Sequence, residues 1–65
     1  MISYNKLWKK MIDLGIKRKD LKESAGLGST TITKLNNNLP VSMEVMVKIC
    51  IALNCNIGDI MDVVL

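Results

Sequence analysis

Apolar side chains recur along the first part of the chain with the spacing of an amphipathic helix. The positions i, i+3, i+4, i+7 and i+8 are occupied by Tyr4, Leu7, Trp8, Met11 and Ile12. This series places its members on one broad face of a helix. We therefore expect a first helix that packs this whole face, Ile12 included, against the core. Gly15 is expected to end the helix, and Ile16 to return to the core.

The next segment, residues 18–35, predicts two short helices separated by a glycine. The inward stripe of the first is Leu21 with Ala25, and that of the second is Ile32 with Leu35. Gly26 falls between the two stripes, and glycine takes a positive φ without the steric cost that a side chain brings. The backbone can therefore turn sharply there and lay the second helix across the first. This is a helix-turn-helix arrangement, which usually presents one exposed helix to the DNA major groove.

The bounds of the helices and the remaining secondary-structure elements are predicted from helix-capping residues and from inward-facing apolar stripes. We expect the helices of the helix-turn-helix to span residues 17–25 and about 29–36, with Gly28 or Ser29 as the cap of the second. Asparagines and a proline at 36–40 predict a loop. Ser42 is expected to cap a fourth helix, whose inward stripe is Met46, Ile49, Cys50 and Leu53. A short fifth helix at about 57–63 is expected to close an all-α, five-helix domain, with Ile60 and Met61 facing inward.

The helix-turn-helix segment also carries the pattern of a known family. Counted from Arg18, apolar residues stand at Leu21, Ala25, Leu27, Ile32 and Leu35, with glycine at Gly26. In these positions, and in the later run SMEVMVKICIALNCNIGDIM, the chain resembles the Cro/cI repressor type of helix-turn-helix domain, also called the XRE family. The later run resembles in particular a compact single-domain branch of the family with a KIC-x-AL-x-C-x-x-GDI pattern. Lys22 departs from the small residue that most members carry. The resemblance implies a five-helix, lambda-repressor-like DNA-binding domain over residues 1–65.

The charges are divided unevenly along the chain. Residues 1–38 hold eight basic and three acidic side chains, whereas residues 39–65 hold one basic and three acidic ones. The first part is therefore suited to meeting an anion, and double-stranded DNA is the expected partner. A solvated lysine face of the kind found on many proteins is the alternative explanation of the charge pattern alone.

Candidate DNA contacts follow from the inward direction of Ile32 and Leu35. The opposite side of that helix is expected to carry the base-contacting residues Ser29, Thr30, Thr33 and Lys34. Their hydroxyls can donate or accept at base edges, their methyl groups can meet thymine, and the lysine can donate to guanine. Ordinary solvent exposure is the alternative. Similarity to the phage repressors implies base contacts at Ser29, Thr30 and Lys34 in particular.

Phosphate contacts are expected around the start of the second helix. Lys17, Arg18 and Lys19 surround its amino end, where free backbone amides and the helix dipole favour an anion. The resemblance implies that Arg18 contacts the DNA backbone or a base, and that Asn37 contacts the DNA backbone. Thr31 is a further, weaker phosphate candidate.

A second apolar surface is expected beside the core. Val47 and Ile51 lie one turn apart and point away from the inward stripe of the fourth helix. With the carboxy-terminal residues Val63, Val64 and Leu65 they are expected to form a homodimer interface. Scattered surface hydrophobes are the alternative, and a protein partner is a third possibility.

Several classes of function are not favoured by the composition. Two cysteines without any histidine do not make a zinc site, and Cys50 is expected to be a small buried thiol. We expect no cofactor, no membrane span, no catalytic site and a cytoplasmic location.

The predicted function is sequence-specific transcriptional regulation, most simply repression, by a homodimer on a two-fold operator. The alternatives are an antitoxin or accessory subunit that uses the fold to bind a protein, and a non-specific nucleoid-type binder.

Overall fold

The computed structural model describes all 65 residues as four α-helices, one 3₁₀ turn and a small sheet. The helices are α1 (Asn5–Leu14), α2 (Arg18–Ala25), α3 (Ser29–Asn36) and α4 (Met43–Leu53), and the 3₁₀ turn is Ile57–Asp59. The strands β1 (Ile2–Ser3) and β2 (Asp62–Val63) pair antiparallel, with Ile2 opposite Val63. The mainly helical class is thus confirmed.

The prediction of a fifth helix is wrong. A single 3₁₀ turn occupies its first three positions, and the chain then extends into β2, where the N–H of Val64 donates to the carbonyl of Met1 over 2.7 Å. Valine favours extended backbone because its branched side chain loses freedom in a helix, and β1 supplies a strand to pair with. Ile60 is nevertheless fully buried and Met61 half-buried, as the apolar pattern indicated.

One hydrophobic core draws on all four helices and on Ile60, which directly follows the 3₁₀ turn. Its buried residues are Tyr4, Leu7, Met11, Leu21, Ala25, Leu27, Leu35, Met46, Ile49, Leu53 and Ile60. The stripes of α2, α3 and α4 meet in this core, which confirms the inward direction expected of these three stripes. Ile32 and Cys50 lie at its border and are half-buried.

The breadth of the apolar face of α1 was overestimated. Leu7 and Met11 are buried, whereas Trp8 is half-buried and Ile12 is 77% exposed. Adjacent helix positions are about 100° apart, so a helix that turns Met11 directly onto the core leaves Ile12 on its flank. Placing Ile12 in the core was therefore wrong.

The turn between α2 and α3 depends on a left-handed residue. Gly26 has φ 66°, and its N–H donates to the carbonyl of Glu23 over 3.3 Å. The N–H of Leu27 donates to the carbonyl of Lys22 over 2.9 Å, which completes the usual pair of bonds at a helix end. Leu27 is buried, and extended backbone at Gly28 then starts α3. Gly28, rather than Ser29, is the capping residue.

Tyr4 attaches the start of the chain to the loop that follows α3. Its hydroxyl donates to the carbonyl of Leu39 over 2.7 Å, and its N–H donates to Oδ1 of Asn38 over 3.1 Å. The side chain is only 1% exposed, and burial raises the pKa of its hydroxyl above the ordinary value of 10.0. Asn38 itself is left-handed, with φ 56°. The loop after α3 is therefore fixed to the core by the hydroxyl and the backbone N–H of a buried tyrosine.

The backbone conformation at position 26 provides a test of this turn. A Cβ built at Gly26 meets no atom within 4 Å, so only the positive φ disfavours a side chain. Gly26→Ala is expected to lower the free energy of unfolding by about 1 kcal/mol, and Gly26→Asn by less, because asparagine tolerates this region. Urea denaturation measures both changes.

Gly58→Ala is the matched control, since Gly58 has equal space but no positive φ. It is expected to leave stability unchanged or slightly raised. Equal losses at Gly26 for alanine and asparagine, or an equal loss at Gly58, would contradict this account of the turn.

Candidate nucleic-acid interface

The outer face of α3 consists of small polar side chains and one lysine. Burial of Leu35 and half-burial of Ile32 orient the helix. All four expected base-contacting residues are exposed on the other side, namely Ser29, Thr30, Thr33 and Lys34. No bulky side chain stands among them, so the face is free to approach the floor of a groove.

The hydroxyls on this face differ in the hydrogen-bonding capacity that remains available to a DNA base. The Thr33 hydroxyl donates to the carbonyl of Ser29 over 3.1 Å, so its remaining capacity is to accept. The Ser29 oxygen accepts from Nζ of Lys22 over 2.8 Å, which leaves its proton to donate outward. Thr30 and Lys34 make no side-chain hydrogen bond and keep their full capacity. The face therefore presents both donors and acceptors.

Lys22 belongs to this surface although sequence reasoning did not place it there. It lies in the last turn of α2, is half-buried, and reaches the first residue of α3. The signal that pointed to it was its identity, because a long cationic side chain stands where similar proteins carry a small residue. Packing its stem while extending the ammonium is how lysine fits such a position.

The amino end of α2 is basic, but its backbone already faces a carboxylate. Lys17, Arg18 and Lys19 are exposed there. Asp20 lies in the first turn, and its carboxylate accepts from the N–H of Lys17 over 2.9 Å. This charge offsets the positive end of the helix dipole. Attraction for a phosphate therefore depends on the three basic side chains more than on the backbone that the sequence interpretation emphasised.

The two remaining phosphate candidates are less free than the lysines. The side-chain amide of Asn37 donates to the carbonyl of Thr33 over 2.9 Å, which folds it back onto the end of α3. It is exposed and retains one N–H and its oxygen. Thr31 is half-buried. Thr30 before it is exposed, and Ile32 after it borders the core.

Arg18 makes two contacts that join three helices. Its guanidinium carbon lies 4.1 Å from the centroid of the Trp8 ring, and its Nε donates to Oδ1 of Asn36 over 2.8 Å. Neither Trp8 nor Asn36 was predicted from the sequence to belong to this site, because the contacts join residues far apart in the chain.

The cations of this surface have no acidic partner. The two ion pairs of the structure lie elsewhere, between Lys6 and Asp62 at 3.0 Å and between Lys48 and Glu44 at 3.7 Å. The unpaired cations near α2 and α3 are Lys17, Arg18, Lys19, Lys22 and Lys34. A phosphate that approaches them does not have to break an existing ion pair.

An apolar groove lies along α4. Its volume is about 520 Å³, and Val47 and Ile51, which are 54% and 75% exposed, stand in its wall. The other lining residues are Met43, Met46, Cys50, Asn54, Cys55, Asn56 and Ile57. The loop after α4 thus completes the groove. Val63, Val64 and Leu65 are exposed but do not line it.

Both cysteines of the groove are free thiols. Burial, with the neighbouring Cys50 thiol as a smaller cause, raises the pKa of Cys55 above its usual value of 9.0. A thiol with a raised pKa is less often the reactive thiolate. No three metal-ligating side chains come together, and no helix is long and apolar enough to cross a membrane.

Comparison with known proteins agrees with this geometry. Residues 6–65 match the family model described as a Cro/C1-type HTH DNA-binding domain. The crystal structure of the transcriptional regulator VanUg, form II, is similar to this chain at 46% sequence identity and a TM-score of 0.91. That similarity covers 94% of this chain and 81% of the VanUg chain. No curated protein matches the chain. The family match includes α2, α3 and the glycine turn between them, and the chain belongs to the Cro/C1-type helix-turn-helix DNA-binding family.

Proposed function

We propose that this protein is a sequence-specific transcriptional regulator that binds a two-fold operator as a homodimer. The observation that carries the proposal is the exposed polar face of α3, bordered by five cations without acidic partners. The family assignment supports DNA binding, and the similarity to VanUg, a transcriptional regulator, supports a role in transcription. Repression by occluding polymerase in the cytoplasm is the simplest mechanism for such a domain.

The proposed contacts divide into two groups with different tasks. Phosphate contacts from Lys17, Arg18, Lys19 and Asn37, with Thr31 as a weaker member, set the register of the protein on DNA. Base contacts from Ser29, Thr30, Thr33 and Lys34 read the sequence. The hydrogen bonds within the protein refine the second group. Ser29 is best placed to donate to a base, and Thr33 to accept from one or to contact a thymine methyl.

The proposed homodimer uses the apolar groove of α4. Val47 and Ile51 are exposed although α4 already buries Met46, Ile49 and Leu53 on its other side. Val63, Val64 and Leu65 are proposed to extend the interface at its edge. A two-fold dimer would present two α3 helices about 34 Å apart to one side of the DNA, which matches one turn of the double helix.

The groove also favours a second candidate function. The same apolar surface can receive another protein, in which case the chain is an antitoxin or accessory subunit of a complex. Co-purification of a second protein in fixed proportion would support this function. A non-specific nucleoid-type binder would instead show no preferred duplex in competition with random DNA.

Lys34 and Lys19 are expected to act differently although both are exposed lysines. Lys34→Ala should weaken binding to the best site by about 1–3 kcal/mol, and by less on sites altered at the contacted base pair, because a base contact is lost. Lys19→Ala should weaken every sequence about equally and reduce the slope of log affinity against log salt by roughly 0.9 per half-site. Titrations over a salt series, on the best site and on single-base variants, separate the two roles. If Lys34→Ala acts equally on all sequences, α3 does not present this face to the bases.

The dimer is tested by a charge placed in the groove. Val47→Glu combined with Ile51→Glu should give a folded monomer with much weaker operator binding, because burying a carboxylate without a partner is costly. Ile12→Glu is a matched control, since Ile12 is as exposed as Ile51 but lies on α1 outside the groove. It should leave the dimer intact. Sedimentation velocity distinguishes the species, and a wild-type monomer at tens of micromolar with and without operator would refute the proposal.

A further inference from the structure

The contacts of Arg18 fix its guanidinium from two directions. The guanidinium carbon lies over the ring of Trp8, from α1, at 4.1 Å from the ring centroid. Asn36, the last residue of α3, accepts from Nε over 2.8 Å. Arg18 itself is the first residue of α2. A side chain that is otherwise flexible is thus held between the first and third helices.

These contacts leave free the part of the guanidinium that binds phosphate. Arginine has five N–H donors, of which only the Nε donor is engaged by Asn36. The terminal nitrogens make no hydrogen bond within the protein, and Arg18 is in no ion pair. Two parallel N–H donors in a fixed plane match two oxygens of one phosphate. A lysine offers a point charge there and cannot reproduce this geometry.

Stacking and hydrogen bonding also restrict the side chain before any ligand arrives. Binding ordinarily requires a flexible side chain to lose rotamer freedom, and contacts already present in the free protein remove part of that cost. Attraction between the cation and the indole ring is strongest for tryptophan. Trp8 is half-buried, so the ring is held by the core on one side and meets the guanidinium on the other.

The geometry points to Trp8 and Asn36 as positioning residues that orient Arg18 for bidentate contact with a DNA phosphate. This inference rests on the proposed DNA-binding function and deepens it. It extends the DNA-binding machinery to α1, which no base or phosphate candidate had included. It also links the phosphate contact to the end of α3, because Asn36 fixes the distance from that phosphate to the base-contacting face.

The test compares the same two substitutions in wild-type and Arg18→Ala backgrounds. Trp8→Leu and Asn36→Ala are each made in both, and affinity for a selected duplex and a random duplex is measured by fluorescence anisotropy over a salt series. In the wild-type background each substitution should weaken binding about threefold to tenfold. In the Arg18→Ala background each should have almost no effect, since alanine contacts neither the ring nor the amide. Arg18→Lys alone should preserve the salt slope, whereas Arg18→Ala should reduce it by roughly 0.9 per half-site.

The outcomes are distinguishable from one another and from loss of fold. Circular dichroism at the assay temperature identifies any variant that unfolds, and Asn36→Ala, at an exposed position, tests the coupling independently of the ring. Equal losses in both backgrounds would show that Trp8 and Asn36 act only on the fold, and would overturn the inference. A wild type with no preference between the two duplexes would refute sequence-specific regulation, yet the coupling to Arg18 would still be measurable on random DNA. Absence of DNA binding altogether would overturn both.

Discussion

The left-handed backbone at Gly26 determines which side of α3 faces solvent. Its hydrogen bonds to the end of α2 direct Leu27 into the core, and α3 begins two residues later. Each residue of an α-helix turns the chain by about 100°. Starting α3 one residue earlier or later would therefore turn Lys34 or Asn36 toward the core and turn Leu35 away from it. The positive φ at one residue is the constraint on which the whole candidate interface depends.

A second constraint acts at the other end of the same helix. α3 has only eight residues, three of them threonine, and an isolated helix of this length and composition is not stable in water. Its carboxyl end is held by the left-handed Asn38 and by the two hydrogen bonds of Tyr4. A helix with little intrinsic stability is thus fixed at both ends by its neighbours. Because its neighbours stabilise α3, the outer face does not need strong helix formers and can carry small polar side chains instead.

Local signals were sufficient to predict much of the fold but few of the contacts within the site. The stripes of α2, α3 and α4, the turn at Gly26 and the Ser42 cap depend on neighbours within about one turn, and the sequence shows them directly. The β1–β2 pair could not be predicted, because it joins residues about sixty positions apart. The Arg18 contacts with Trp8 and Asn36 depend in the same way on how helices pack, so only Arg18 itself was identified. Ile12 was misplaced because an apolar series shows which residues share a face, but not how much of that face the core covers.

The proposed interface places the outer face of α3 and the basic start of α2 against DNA. Nuclear magnetic resonance of ¹⁵N-labelled protein, titrated with a duplex selected by the protein from random sequence, tests it residue by residue. The largest amide shifts are expected at residues 17–19 and 29–34. Smaller shifts are expected along the groove of α4 when the spectrum of the DNA-free protein is taken as reference. Shifts centred on α4 and residues 54–57, with α3 unchanged, would contradict it.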